Sequence, residues 1–239
     1  MSILALATNE SGRDYVVGDL HGGYDALMRS LEEIGFDHNA DRLISVGDLV
    51  DRGPDSMGCF CLLDEPWFYA CLGNHEQMMM EALSAGLGSA EALLWFRNGG
   101  DWSLDYDWQE LTRGVLQRRA RLPDAIEVCV GSRRVGVIHA EVPGHDWSRL
   151  AQSLETEEGR HEALWSRATI SRLSREPGYV PWVDGIDRVI VGHTPLEEPL
   201  SAGNLMYIDT GAFLERGYLT VVRLEEVLAR ESGHRPRRQ

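Results

Sequence analysis

The sequence predicts an α/β fold whose functional site lies at the carboxyl ends of its strands, and three observations carry that expectation. Short β-branched or aromatic runs alternate with segments of helical apolar spacing. Five of these runs lead straight into side chains able to bind a cation. They are Asp19 and His21 in Gly18-Asp19-Leu20-His21-Gly22, Asp48 in Gly47-Asp48-Leu49-Val50-Asp51-Arg52-Gly53, Asn74 in Gly73-Asn74-His75-Glu76, His139 in Ile138-His139-Ala140, and His193 in Gly192-His193-Thr194-Pro195. With 239 residues, 43% of them hydrophobic, the chain can bury a full core. In open α/β sheets binding groups gather beyond the strand carboxyl ends, where loops converge while the sheet stays rigid.

Taken in order, Tyr15-Val16-Val17 reads as a buried strand and Tyr24 to Ile34 as an amphipathic helix, with Leu27, Leu31 and Ile34 on one face and Gly35 as its stop. Leu43 to Val46 is the next strand, and Pro54 suits the first turn of a helix reaching Leu63. A third strand, Trp67 to Leu72, precedes a helix that starts near His75 and places Met78, Met79, Met80 and Leu83 as core filler. Residues 84–120 read as a mostly helical insertion over the site, with Trp95, Phe96, Trp102, Tyr106 and Trp108 forming a satellite hydrophobic core. Ala125 to Val130 and Val135 to Ile138 form a hairpin through Gly131-Ser132-Arg133-Arg134. The polar stretch 144–180, with the acidic run Glu155-Thr156-Glu157-Glu158, is expected to be helix and loop in a mobile, substrate-facing lid. Val189 to Val191, Leu205 to Ile208 and Tyr218 to Leu224 complete the strands, with the Asp209-Thr210-Gly211 turn between the last two. One domain is expected over residues 1–231, followed by a disordered tail at 232–239.

A formal charge of -15 and a pI near 4.9 argue against nucleic acid and anionic membranes as partners, since both reward a basic surface. An anionic substrate is still compatible, because cations and a few arginines reverse the potential locally. Cys59, Cys61, Cys71 and Cys129 form no CxxC pair and read as buried free thiols of a reducing compartment. The first residues lack a basic leader with a long apolar core, and no run approaches the ~18 apolar residues of a membrane span. A cytoplasmic protein is expected.

Asp19 and His21, one residue apart, point to the same side of an extended segment and can share one cation. Asp48 offers two carboxylate oxygens, enough to bridge two cations, while Asn74 adds an amide oxygen and His139 and His193 add imidazole nitrogens. Mixed nitrogen and oxygen donors without thiolate suit Mn, Fe or Zn. Two cations about 3.5–4 Å apart can clamp a phosphate and activate water. His75 is placed to act as a general acid, Asp51 to orient it and Arg52 to bind phosphate oxygens as a bidentate fork. Singly, each block reads more readily as ordinary loop caps and surface charges; the combination reverses that balance.

Taken together, Asp-x-His-Gly, Gly-Asp-x-Val-Asp-Arg-Gly, Gly-Asn-His-Glu, a later His and Gly-His-Thr-Pro resemble the phosphoprotein phosphatase branch of the calcineurin-like metallophosphoesterases. The chain looks most like the bacteriophage lambda type of serine/threonine phosphatase and its bacterial relatives. Asn98-Gly99-Gly100-Asp101-Trp102, Leu164-Trp165-Ser166-Arg167 and Met206-Tyr207-Ile208-Asp209-Thr210-Gly211-Ala212 carry the likeness further, so it spans about residues 14–224. The resemblance implies two packed mixed β-sheets flanked by helices. It implies that Asp19, His21 and Asp48 bind one metal and Asp48, Asn74, His139 and His193 a second, with Mn first and Fe or Zn as alternatives. By the same likeness Asp51 and His75 are the catalytic pair, and Arg52 and Arg167 bind phosphate. Two positions depart from the pattern: Leu72, where the phage enzyme has an arginine, and Glu141, where an aspartate is expected.

The activity so implied is hydrolysis of phosphoserine or phosphothreonine in a phosphoprotein or phosphopeptide, by direct attack of a metal-bound hydroxide with His75 as general acid. A symmetrical dinucleoside tetraphosphate hydrolase is the second reading; that group usually has Asp at the position of Glu76. A third, a non-catalytic scaffold, would normally have lost ligands that are all present here. Substrate, native metal and oligomeric state are not encoded in these motifs.

Overall fold

The computed structural model describes residues 3–229; the expected tail at 232–239 and the domain boundary at 231 lie outside them. The chain begins with β1 (Ile3–Leu6) and β2 (Asp14–Val17), then α1 (Tyr24–Glu33), β3 (Arg42–Ser45), α2 (Ser56–Cys61), β4 (Phe68–Ala70) and α3 (Asn74–Ala85). The insertion is helical, as expected: α4 (Ala90–Arg97), a 3-10 segment (Gly100–Asp105) and α5 (Trp108–Arg118). After it come β5 (Ala125–Val130), β6 (Arg133–Ile138), α6 (Leu150–Ser153), α7 (Glu157–Trp165), α8 (Ala168–Arg175), β7 (Arg188–Val191), β8 (Leu200–Ala202), β9 (Leu205–Tyr207), β10 (Val221–Arg223) and α9 (Leu224–Ala229).

Two mixed sheets form, one of six strands ordered β1-β5-β6-β7-β9-β8 and one of four ordered β10-β2-β3-β4. β2, β3 and β4 are parallel, as are β6, β7 and β9, so the ends that carry the five blocks open toward one side of each sheet. Alternation along the strands decides which core each side chain joins. Val16, Ile44 and Val46 meet Ile126, Val128, Val135, Val137, Ile190, Met206 and Ile208 between the sheets. Tyr15, Val17 and Leu43 turn the other way, onto α1, α2, α3, α4 and α5. On the far side Val189, Val191, Leu205 and Tyr207 pack against Trp147, Leu150, Leu154 and Ala163.

Several expectations need correction. α2 starts at Ser56 rather than at Pro54, because the Asp55 carboxylate accepts from Gly58 N at 2.7 Å and caps it. Residues 144–180 are a packed layer on the six-stranded sheet, not a loose lid; Trp147 and Leu150 anchor it. The expected strand at Tyr218 to Leu224 shortens to β10, because Tyr218 N bonds Thr210 O and the fully buried Leu224 begins α9. β1 and β8, partly exposed, and the six-residue α9 did not announce themselves. Cys59 and Cys71 are buried as expected, whereas Cys61 faces solvent. Ile190 sits fully buried between the sheets. Ile190→Ala is expected to lower the unfolding free energy by about 2–5 kcal/mol, measured by urea denaturation.

Candidate active site

The loops after β2 and β3 are laced together by their backbones. Leu20 N and His21 N donate to Asp48 O at 3.0 and 2.8 Å, and Gly22 N donates to Leu49 O at 2.8 Å. Gly53 closes this lacing, since a Cβ there would lie 1.9 Å from His21 O. The Glu76 carboxylate, at the start of α3, accepts from Asp48 N at 2.9 Å, Leu49 N at 2.8 Å, Val50 N at 3.2 Å and Gly73 N at 3.0 Å. Six non-glycine residues among those described have positive φ, and five of them are His21, Asp48, Asp51, Arg52 and His193. Such conformations persist only where surrounding contacts over-determine them.

Three imidazoles are oriented by backbone carbonyls. His21 Nδ1 lies 3.0 Å from Val50 O, His139 Nδ1 3.0 Å from Val46 O, and His193 Nε2 3.2 Å from Trp165 O. A carbonyl oxygen only accepts, so each of these nitrogens carries the ring proton and the opposite nitrogen is a lone pair. Burial keeps the rings neutral: it pushes His21 down to about 3 and His193, with His139 beside it, also to about 3, and it lowers His139. The same arrangement of carbonyl, imidazole and ion is how proteins orient metal-binding histidines.

The inward nitrogens meet further acceptors. Asn74 Oδ1 is 2.8 Å from His139 Nε2 and 2.9 Å from His193 Nδ1; Asp48 Oδ1 is 3.5 Å from His139 Nε2, and Asp48 Oδ2 is 3.6 Å from His21 Nε2. Lone pairs facing lone pairs repel, so this donor set fits a cation placed among them. The ligand atoms of Asp48, His139 and His193 lie within 4.8 Å of one another, as do those of His21, Asp48 and His75. Asp48 belongs to both groups, offering one oxygen to each, which is the bridging geometry a two-cation centre uses. Asp19 joins the site through its carboxylate, which accepts from His193 N at 3.2 and 3.1 Å. Burial, together with Asp209 and Asp48, pushes the Asp19 carboxyl well above its ordinary range.

His75 differs from the other rings. Its Nδ1 lies 2.6 Å from Asp51 Oδ2, and Asp48 and Asp51 raise its proton affinity above the ordinary histidine value even though burial works the other way. Its outward nitrogen faces a carboxylate where those of the other three rings face neutral carbonyls. Arg52 Nη1 lies 2.8 Å from His21 Nε2, and its guanidinium rests 4.5 Å above the Phe213 ring. Arg167 Nη2 donates to His193 O at 3.3 Å. The structure therefore brings all ten residues named from the sequence to one crevice. Of the two departures, Leu72 joins the helical core, and Glu141 Oε1 accepts from Thr169 N at 2.7 Å. Glu141 thereby anchors the first turn of α8, the helix that begins directly after Arg167.

Residues 15–197 match the sequence profile of the calcineurin-like phosphoesterases. The chain belongs to that family. Serine/threonine-protein phosphatase 1 of Salmonella typhimurium is 40% identical over 216 residues, covering 88% of this chain and 91% of that one. A symmetrical bis(5'-nucleosyl)-tetraphosphatase of Dechloromonas aromatica is 27% identical over 256 residues, covering 89% and 92%. A solved structure described as a "putative diadenosine tetraphosphatase" shares the fold with a TM-score of 0.61 at 22% identity, covering 93% of this chain and 98% of that one. As a calcineurin-like phosphoesterase the chain is a hydrolase, and its two His/Asp clusters are consistent with a binuclear metal site.

Sequence reasoning missed five contributors to this phosphoesterase site. Glu76 stood inside a block but gave no sign of its four N–H partners. Trp95 comes from α4, Trp102 from the 3-10 segment after it and Phe213 from a turn late in the chain. Asp209 is the exception, because it directly follows the run Leu205 to Ile208 and so obeys the rule that picked out the ligands. It is buried, Oδ1 accepts from Gly211 N at 2.9 Å, and Oδ2 has no partner. Burial, with the Asp48 charge, pushes its carboxyl up to about 6.

Glu76→Ala is expected to strand four buried N–H groups and lower the unfolding free energy by more than about 3 kcal/mol, read by denaturant melts. Asp209 supplies a pH signature. Its folded carboxyl, near 6, binds protons more readily than an unfolded one near ~3.9, so Asp209 by itself adds stability to the metal-free chain as pH falls through that window, while His21 and His193, held neutral, remove it over the same range. Cations bind the ionised form and act in the opposite sense. The rise in Tm when Mn is added to chelator-treated protein should be largest above about pH 7 and shrink toward about pH 5; calorimetry across that range checks it.

Proposed function

We propose that the chain is a two-metal phosphomonoesterase acting on phosphoserine and phosphothreonine in proteins. The observation that carries the reading is the Asp51–His75 pair, 2.6 Å apart and buried, set beside a cluster of cation-ready acceptors. A serine or threonine alkoxide is a poor leaving group, and a proton-holding imidazole at that position answers the need. The likeness to a serine/threonine-protein phosphatase at 40% identity supports the substrate class.

Asp19, His21 and Asp48 would hold one cation, and Asp48, Asn74, His139 and His193 the other; the donor set suits Mn, with Fe or Zn as alternatives. Two bound divalent ions supply Lewis acidity toward phosphate and lower the pKa of water. Arg52 and Arg167 bind the phosphate oxygens through paired N–H groups, Arg52 exchanging His21 for substrate. Asp51 accepts from His75 Nδ1, so Nε2 delivers its proton to the departing oxygen. The four unpaired thiols support a reducing, cytoplasmic setting. No helix among the described residues is long and apolar enough to cross a membrane.

The test is kinetic. With a phosphoserine peptide and Mn, His75→Asn is expected to lower kcat by about 10²–10⁴-fold while metal analysis still finds two ions per chain. Undiminished turnover would remove the acid role. Wild-type preference for diadenosine tetraphosphate over the peptide would instead favour the tetraphosphatase reading, which the relative at 27% identity keeps in view. Hydrolysis of neither would point to a scaffold.

A further inference from the structure

Trp95 and the turn Asn98-Gly99-Gly100-Asp101-Trp102 lie outside the cation-binding residues, yet they converge on Asp51. Trp95 Nε1 is 3.0 Å from both carboxylate oxygens, and Trp102 Nε1 is 2.7 Å from Oδ1. His75 Nδ1 holds Oδ2 at 2.6 Å, and Asp51 N donates to Ser56 Oγ at 2.8 Å. Rotating this fully buried carboxylate would break at least one of these bonds. The neighbouring residue is held by the same turn, since Arg52 N donates to Gly99 O at 3.3 Å. Both glycines of the turn are needed for the approach: a Cβ on Gly99 would lie 2.8 Å from Arg52 N, and one on Gly100 would lie 2.4 Å from Trp95 Nε1. Asp51 and Arg52, at φ 76° and 70°, occupy backbone conformations that relax unless contacts of this kind hold them.

We propose that Trp95 and Trp102 are positioning residues for the reaction: their indole N–H groups lock the Asp51 carboxylate so that Oδ2 aligns His75 toward the leaving oxygen. Indole is well suited, because it donates and has no acceptor that would compete with Asp51 for the His75 proton. The two rings stack edge to face, with centroids 5.8 Å apart at 89°, which makes the donor pair rigid. The helical insertion thus acts on the chemistry through Asp51, without touching substrate. This rests on the general-acid reading of His75.

The experiment uses the Mn-loaded full chain and two substrates, a phosphoserine peptide, whose leaving alkoxide needs a proton, and p-nitrophenyl phosphate, whose nitrophenolate does not. Trp102→Phe keeps a ring against Trp95 and Tyr106 but deletes the donor. Expected is a loss in kcat of about 10-fold or more on the peptide, less than about 3-fold on p-nitrophenyl phosphate, and a KM within about 2-fold on both. Metal content should stay at two ions per chain. An equal loss on the two substrates, or none on either, overturns the proposal. Should Trp102→Phe fail to fold, benzothienylalanine at position 102, which keeps the indole shape without its N–H, gives the same readout. His75→Asn run in parallel separates the two ideas. If it lacks the substrate difference, the acid reading fails; if it shows the difference and the Trp102 change does not, only the positioning role fails.

Discussion

The site depends on one carboxylate that binds no ligand: Glu76, held by four backbone N–H groups from the β3 loop and the turn before α3. That clamp fixes the loop carrying Asp48, Asp51 and Arg52 against the helix start carrying Asn74 and His75. Residues held this way can occupy left-handed backbone, and Asp48, Asp51 and Arg52 do. Their side chains consequently project into the crevice rather than along the strand direction. Backbone lacing from Leu20, His21 and Gly22 then ties the first block to the second.

Electrostatics follows from that geometry. The carbonyls of Val46, Val50 and Trp165 each accept a hydrogen bond, from His139, His21 and His193 respectively, so three lone pairs point inward at Asn74 and Asp48. Asp19, Asp48 and Asp209 are buried nearby. Such a concentration of acceptors is unfavourable by itself and becomes favourable around divalent cations. His75 departs from the pattern because its outward acceptor is the Asp51 carboxylate rather than a neutral carbonyl, and that charge, with the Asp48 charge, raises its proton affinity. One cluster therefore brings together lone pairs suited to cations and the imidazole that the proposed mechanism uses as proton donor to a leaving group.

The legible part of the chain was local. The uninterrupted apolar runs Tyr15-Val16-Val17 and Val189-Ile190-Val191 read as strands with two buried faces, and the polar residues after them as candidate ligands. The hairpin at 125–138 was readable from its turn. β1, β8 and α9 were not: β1 and β8 are partly exposed and lack the buried run of the other strands, and the six residues of α9 are too few to show a helical period. Asp209 was within reach of the same strand-end rule and was passed over as a turn residue. The aromatic cluster looked like a satellite core because ring residues ordinarily are; in fact Trp95 belongs to the main helical core and spends its N–H on Asp51.

By itself the sequence determined which chemistry-bearing side chains stand at strand ends, since strand periodicity and the punctuation that follows are properties of a few neighbouring residues. Only the tertiary structure decided which nitrogen of each histidine faces inward, and that Asp51 receives two indoles from positions 44 and 51 residues farther along the chain. Those choices depend on atoms brought together by packing, and no local pattern encodes them.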